Sequence, residues 1–323
     1  MPNLSNQSPD RIPPSAPPSE VTVRPARTSE IDACIPYLIS GNNRPATDDM
    51  VRQFRQFVTL RSLRLDRMLV AQVGNRLVWY ILPIPSPGRT TMFMLPGAGP
   101  PSESSPAADL LLDAAFVDAR AEGIHLAQVL LDPSDIPNRE LLKRNGFISL
   151  AELIYLQIIP HRPVAMPAIP DNFALQRYSQ STHALFAAAI LESYRDSLDC
   201  PGLAGMREIE DIILGHKAAG DFDPDTWFVL TENTIPAGVL LLSTVTGHDT
   251  TELVYIGLAP GARGRGLGHF LLELAMHATQ AAKNRRLTLA VDSRNTPALK
   301  LYYTHGLQRI ATKLAYVKDL RGS

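Results

Sequence analysis

The stretch Glu252-Leu-Val-Tyr-Ile-Gly-Leu-Ala-Pro-Gly-Ala-Arg-Gly-Arg-Gly-Leu-Gly-His269 begins as an apolar strand and ends as the first turn of a helix. Between the two, Arg263, Gly264, Arg265, Gly266 and Gly268 form a turn with little side-chain bulk, where backbone N–H groups can converge on an anion at the helix start. Two familiar glycine loops do not fit. A Walker A loop needs Lys and Ser/Thr after its last glycine, and Leu267 follows Gly266. The dinucleotide fingerprint, counted from Gly264 and Gly266, needs a glycine where His269 stands.

Outward from this stretch, the second half of the chain reads as an alternation of strands and helices. A strand over 173–177, helices over 182–194 and 206–219, and a hairpin over 227–231 and 237–245 precede it. A helix over 266–283, a strand over 286–291, a helix over 297–305 and a closing strand over 308–318 follow. The same order is expected in the first half. There a strand opens at Val21, two helices follow through Leu38 and over 48–63, and strands over 68–73, 76–83 and 90–95 surround the Gly74-Asn75 turn. A helix through Leu110 and Val117, a strand over 124–131, a helix over 136–145 and a strand from Phe147 complete it. Landmarks recur at nearly constant offset. Pro96-Gly-Ala answers Pro260-Gly-Ala, Asp132 answers Asp292, Asn138 answers Asn295 and Gly146 answers Gly306.

Residues 1–20 carry six prolines among Ser and Asn, a composition expected to stay disordered. The proline-rich stretch 161–171 is expected to be a stiff linker. With 323 residues, 45% of them hydrophobic and 20% charged, the chain has room for two soluble domains. A formal net charge of −1 offers no global field for nucleic acid or an anionic membrane. Cys34 and Cys200, far apart in sequence, argue against a disulfide framework or a zinc site, and a cytoplasmic setting is expected. No apolar run approaches the length of a membrane span.

Arg-x-x-Gly-x-Gly, filled by Arg263, Gly266 and Gly268, resembles the acyl-CoA pyrophosphate loop of the GNAT N-acetyltransferase superfamily. The segment Asn295-Thr-Pro-Ala-Leu-Lys-Leu-Tyr302-Tyr-Thr-His-Gly306 resembles that superfamily's Asn-x-x-Ala-x-x-Leu-Tyr-x-x-x-Gly-Phe, with Leu307 in place of Phe. The resemblance implies an α/β (α+β) fold of two tandem GNAT-like domains, each a mixed, mainly antiparallel sheet flanked by helices. It also implies a degenerate domain over 21–160 and a catalytic, acetyl-CoA-binding domain over 172–323. In layout this is similar to the two-domain mycothiol synthases.

The resemblance implies transfer of an acetyl group from acetyl-CoA to an amine by direct attack in a ternary complex. The backbone of Arg263, Gly264, Arg265, Gly266, Leu267 and Gly268 would take the pyrophosphate with help from the helix dipole. Ile256, Gly257, Leu258 and Ala259 would line the pantetheine arm beside a bulge, where an N–H aimed at the oxyanion commonly contributes about 3 kcal/mol. Asn295 would touch the pantetheine, and its position also suits a helix cap.

Tyr302 is the candidate acid, since a phenol titrating at about 10 can donate to a thiolate as it forms. Glu252 is the candidate base. A carboxylate titrating at about 4 is weak for that task, so burial must raise it or solvent must share the work. His269, His305 and Asp292 read as caps or surface groups, and Cys200 has no evident partner to activate it. The first half lacks the cradle, having Gly99-Pro-Pro-Ser-Glu-Ser-Ser-Pro106 there and Leu141-Leu142 in place of the tyrosine. The acceptor, a small-molecule or peptide amine, is not written in these motifs. A non-catalytic acyl-CoA sensor shares the cradle but needs neither Tyr302 nor Glu252 in an open cleft, and O-acyl transfer on the same fold stays open.

Overall fold

The computed structural model describes residues 21–40, 44–97, 99–100, 105–245 and 247–322. The expected disordered leader 1–20 lies outside the described residues, as does 101–104 of the first-half loop.

The first half runs β1 (Val21–Pro25), α1 (Thr28–Ser40), α2 (Asp48–Leu60), β2 (Leu69–Val73), β3 (Arg76–Ser86), β4 (Thr90–Met94), α3 (Ser105–Ala121), β5 (Leu126–Leu131), α4 (Ile136–Arg144) and β6 (Ile148–Ile158). The second half repeats this as β7 (Phe173–Arg177), α5 (His183–Tyr194), α6 (Ile209–Ala218), β8 (Trp227–Glu232), β9 (Ile235–Val245), β10 (Thr250–Leu258), α7 (Leu267–Ala281), β11 (Arg286–Asp292), α8 (Thr296–Thr304) and β12 (Gln308–Asp319).

All the strands join one twelve-stranded sheet, in the order β1-β2-β3-β4-β5-β12-β6-β11-β10-β9-β8-β7. Pairing is antiparallel except β4 with β5 and β10 with β11. The centre of the order is an exchange. β12, from the second half, lies between β5 and β6, and β6, from the first, lies between β12 and β11. Each half therefore completes its sheet with the other's last strand.

Both exchanged strands alternate and bury apolar side chains, Ile154 and Leu156 in one core and Ala315 and Val317 in another. Full burial of such aliphatic side chains stabilises by roughly 1.5–3 kcal/mol each. The segment 161–171 between the halves is held along α7, where the Val164 amide donates to Gln280 Oε1 at 2.7 Å and His277 Nδ1 lies 2.9 Å from the Val164 carbonyl oxygen.

Helices cover both faces. α3 and α4 bury Leu111, Leu112, Leu141 and Leu142 in one core. α7 and α8 bury Leu271, Leu272 and Tyr302 in its counterpart. On the opposite face α5 and α6 pack Phe186 and Ile213 over Trp227, whose Nε1 donates to the Leu242 carbonyl at 3.0 Å.

One expected correspondence between the halves is corrected by the caps. Asn295 caps α8, its side chain accepting from the Ala298 amide, and the same place on α4 is taken by Asp135, which accepts from the Asn138 amide. Asp135, not Asn138, is the counterpart of Asn295. Asn138 is buried and its Nδ2 donates to the Pro96 carbonyl at 2.8 Å.

Candidate active site

The cradle is built from backbone conformation. α7 begins at Leu267 behind two left-handed glycines, Gly264 at φ 73° and Gly266 at φ 79°. A Cβ at either would meet open space, so glycine is required there by the dihedral angle. Among the described residues, the amides of 264 through 268 donate to no protein acceptor. Consecutive free N–H groups at a helix start form a concavity suited to phosphate oxygens. The Leu267 side chain faces the core. Gly268 serves packing, because a Cβ there would stand 3.2 Å from Leu301 Cδ2, where α8 lies on the first turn of α7.

The two loop arginines have protein partners. Arg263 donates from Nε to the Leu258 carbonyl at 3.1 Å and from its terminal nitrogens to the carbonyls of Ser193, Arg195 and Asp196 at 2.6–3.1 Å. It thereby satisfies the end of α5 and ties that end to β10. Arg265 forms a fork with both Glu232 carboxylate oxygens at 2.7 Å and lies over the Phe173 ring.

Beside the cradle the sheet opens. β10 pairs with β11 only at Thr250, Thr251 and Glu252, and beyond that point pairs with β9 alone. The ladder to β9 shifts register between Leu253 and Tyr255, leaving Val254 as a bulge. The Ala259 amide donates to the Ala237 carbonyl at 2.9 Å. Antiparallel alternation then turns the backbone groups of Ile256 and Leu258 away from β9 and into the gap, and those of Gly257 toward β9. Gly257 is small for a different reason: a Cβ would come within 2.5 Å of Ser193 Oγ and 2.7 Å of the Tyr255 hydroxyl, which are themselves hydrogen-bonded at 2.8 Å. From Glu252 to Leu258 the open edge is about 20 Å long.

Glu252 stands at the closed end of this gap, opposite Ser243 on β9 and Thr288 on β11. Burial raises its carboxyl above the ordinary glutamate range, opposed by the positive charge of Arg61. Arg61 caps the end of α2, in the first half. Tyr155 of β6, paired with Ala290 of β11, also faces Glu252, and its phenol is raised by burial and by that carboxylate.

Tyr302 lies on the other face, 4% exposed, in the core under α7 and α8. Burial, helped by the Asp199 carboxylate, raises its phenol, so it holds its proton throughout the physiological range. Among the described residues its hydroxyl has no hydrogen-bond partner. Tyr303 is exposed.

Asp199 is raised by its own burial and accepts from the Asp292 amide at 3.0 Å. Burial works to raise Asp292 too, but the Arg294 fork and the amides of Arg294 and Cys200 hold it below the usual carboxylate range. Asp292 thus fastens the 197–206 loop to the end of β11. Burial pushes the Cys200 thiol up to about 12, which leaves it unreactive. His305 Nδ1 lies 2.9 Å from the Leu301 carbonyl oxygen and serves the end of α8.

Sequence reasoning missed Arg61, Tyr155 and Asp199. The first two come from the other half and carry no local motif. Asp199 sits in a loop whose only distinction is its proline and glycine neighbours.

The acetyltransferase (GNAT) family model matches residues 188–307. A mycothiol acetyltransferase from Jonesia denitrificans is 28% identical over 184 residues, covering 56% of this chain and 55% of that protein. The chain thus spans about half the length of the relatives it matches. In fold it is similar to a GCN5-related N-acetyltransferase from Sphaerobacter thermophilus, with a TM-score of 0.62 at 14% identity over 94% of this chain and 96% of that one. It is also similar to a tandem GNAT protein from the clavulanic acid biosynthesis pathway, with a TM-score of 0.52 at 16% identity over 94% of this chain and 100% of that one. The match to the acetyltransferase (GNAT) family model thus falls within the second half of the chain and takes in both the glycine loop and the segment from Asn295 to Gly306.

Proposed function

We propose that the chain is an acetyl-CoA-dependent N-acetyltransferase whose chemistry lies in the gap between β10 and β11. The observation that carries this reading is the run of free amides over 264–268 at the start of α7, opening onto a sheet edge that has lost its partner. These residues fit a pyrophosphate, and the exposed edge at Ile256 and Leu258 fits an amide-bearing chain that pairs as a strand does. When bound, acetyl-CoA supplies the thioester that an amine attacks.

Each protein group then has a task. The amide of Ile256 or Leu258 donates to the carbonyl oxygen as it gains charge, a term commonly worth about 3 kcal/mol. Glu252, raised by burial, takes the amine's proton directly or through water. Tyr302, also raised, is a weak acid but a permanent donor, so its part is to hydrogen-bond the sulfur as negative charge collects there. Arg263 keeps the end of α5 against β10, and Arg265 with Glu232 braces the loop from outside.

The acceptor in this reading is an amine on a small molecule, and the relatives' name, mycothiol acetyltransferase, supports assaying mycothiol-type amines first. Among the described residues no helix is long and apolar enough to cross a membrane, and we place the activity in the cytoplasm. The test is release of CoA from acetyl-CoA across a panel of small amines, with wild type beside Tyr302→Phe. Amine-dependent release that falls in the variant is expected, and equal turnover in both would remove Tyr302 from the mechanism.

A further inference from the structure

Resting on that reading, we propose that Arg61 of the first half is a positioning residue for Glu252, so that the acceptor end of the site is completed by the half that lacks a cradle. Arg61 caps the end of α2, its amide donating to the Phe57 carbonyl at 2.9 Å. Its guanidinium leaves the first half altogether. One terminal nitrogen lies 3.5 Å from Asp221 Oδ1 and the other donates to the Ala219 carbonyl at 3.5 Å, both in the segment joining α6 to β8. That segment is fixed to β9, since the Asp221 amide donates to the Thr244 carbonyl at 2.9 Å and Ser243 Oγ donates to the Asp221 carbonyl at 3.2 Å. Ser243 is the residue directly opposite Glu252. Arg61 is therefore anchored one strand away from the carboxylate, over the same face of the sheet.

Among the described residues, groups from four elements face Glu252. β9 presents Ser243, β11 presents Thr288, β6 presents the Tyr155 phenol and α2 presents Arg61. Burial alone drives the carboxyl toward its protonated form, which cannot accept an amine's proton. Arg61 is the positive charge that opposes this. Its ion pair with Asp221 and its contact with the Ala219 carbonyl, both at 3.5 Å, hold the guanidinium on the segment fastened to β9 beside Ser243.

The experiment titrates Glu252 in the full chain by carbon NMR of side-chain-labelled glutamate, with its resonance identified through Glu252→Gln. In Arg61→Gln the Glu252 midpoint is expected to move to higher pH, and in Arg61→Lys to return toward wild type. Affinity for acetyl-CoA stays within about twofold, because the cradle is at the far end of β10. The acid limb of kcat/KM should move in the same direction, with a loss of about tenfold at neutral pH. Superimposable Glu252 titrations in wild type and Arg61→Gln would overturn the proposal, whatever the variant does to melting temperature. If Arg61→Gln does not fold, Arg61→Met keeps the aliphatic stem and carries the same two outcomes. Absence of CoA release from wild type with every amine counts against acetyl transfer itself, and the titration still decides the role of Arg61.

Discussion

The two halves share ten elements in the same order, and they differ in how the loop before the third helix meets the helix after the fifth strand. In the second half Gly264 and Gly266 face open space, and α8 touches the loop's helix through Leu301 at Gly268. In the first half the space is filled. A Cβ on Gly99 would lie 2.6 Å from Pro137 Cβ and 3.0 Å from the Asn138 amide, and Asn138 ties α4 to Pro96.

The positions proposed for catalysis differ between the halves as well. Glu252 is the third residue of the parallel ladder between β10 and β11, and the third residue of the ladder between β4 and β5 is Met92. Tyr302, seven residues after its helix cap, is answered by Leu142, seven after Asp135. At these two positions the first half has an apolar residue where the second has a polar one, which suits the supportive part proposed for it.

The largest expected effect comes from separating the exchanged strands. β12 has first-half strands on both sides and β6 has second-half strands on both sides, so residues 172–323 expressed alone should lose the cooperative fold or associate to replace the missing strands. Size-exclusion chromatography and thermal melting check this, and a monomer with a sharp transition would contradict the interlock. Next in size is Glu252→Gln, expected to lower kcat/KM by about 10²- to 10⁴-fold, while Met92→Gln in the first half leaves turnover per folded molecule unchanged. Tyr302→Phe should lower kcat by about 10²-fold with little change in KM. Its twin Leu142→Ala should instead cost about 2–5 kcal/mol of stability and no chemistry, as read by denaturant melts.

A smaller effect concerns α6, which buries Asp211, Ile212 and Ile213, where its twin α2 buries no residue. His216 on α6 stacks on Tyr255, and its Nε2 is buried without a partner among the described residues. Burial, then the charge of Arg207, lowers it to about 4. The unfolded chain takes up that proton at about 6.5 and the folded chain does not, so stability should fall as pH drops from about 6.5 toward 4. His216→Phe, which keeps the stacking, should flatten that slope in urea melts.

Much of the fold was legible because its signals are local. Strand and helix periods located the elements to within a few residues, and the glycine loop announced itself because left-handed φ angles and free amides need glycine at fixed places. The exchange was not legible, since β12 alternates in the same way whichever strand lies beside it. The partners of the Arg263 side chain were hidden for a similar reason. An arginine in a phosphate loop reads as a phosphate ligand, and only the fold brings the carbonyls of Ser193, Arg195 and Asp196 to it. Arg61 was silent because its importance depends on Asp221 and Glu252, which lie in the other half of the chain.

In the proposed function one half binds acetyl-CoA through the amides of 264–268 and the other does not. Isothermal calorimetry of the full chain with acetyl-CoA tests it most directly. One molecule bound per chain is expected, with loss of binding in Gly266→Glu, where a side chain must adopt a φ of 79° in the cradle. Two molecules per chain, or affinity retained in Gly266→Glu, would contradict it.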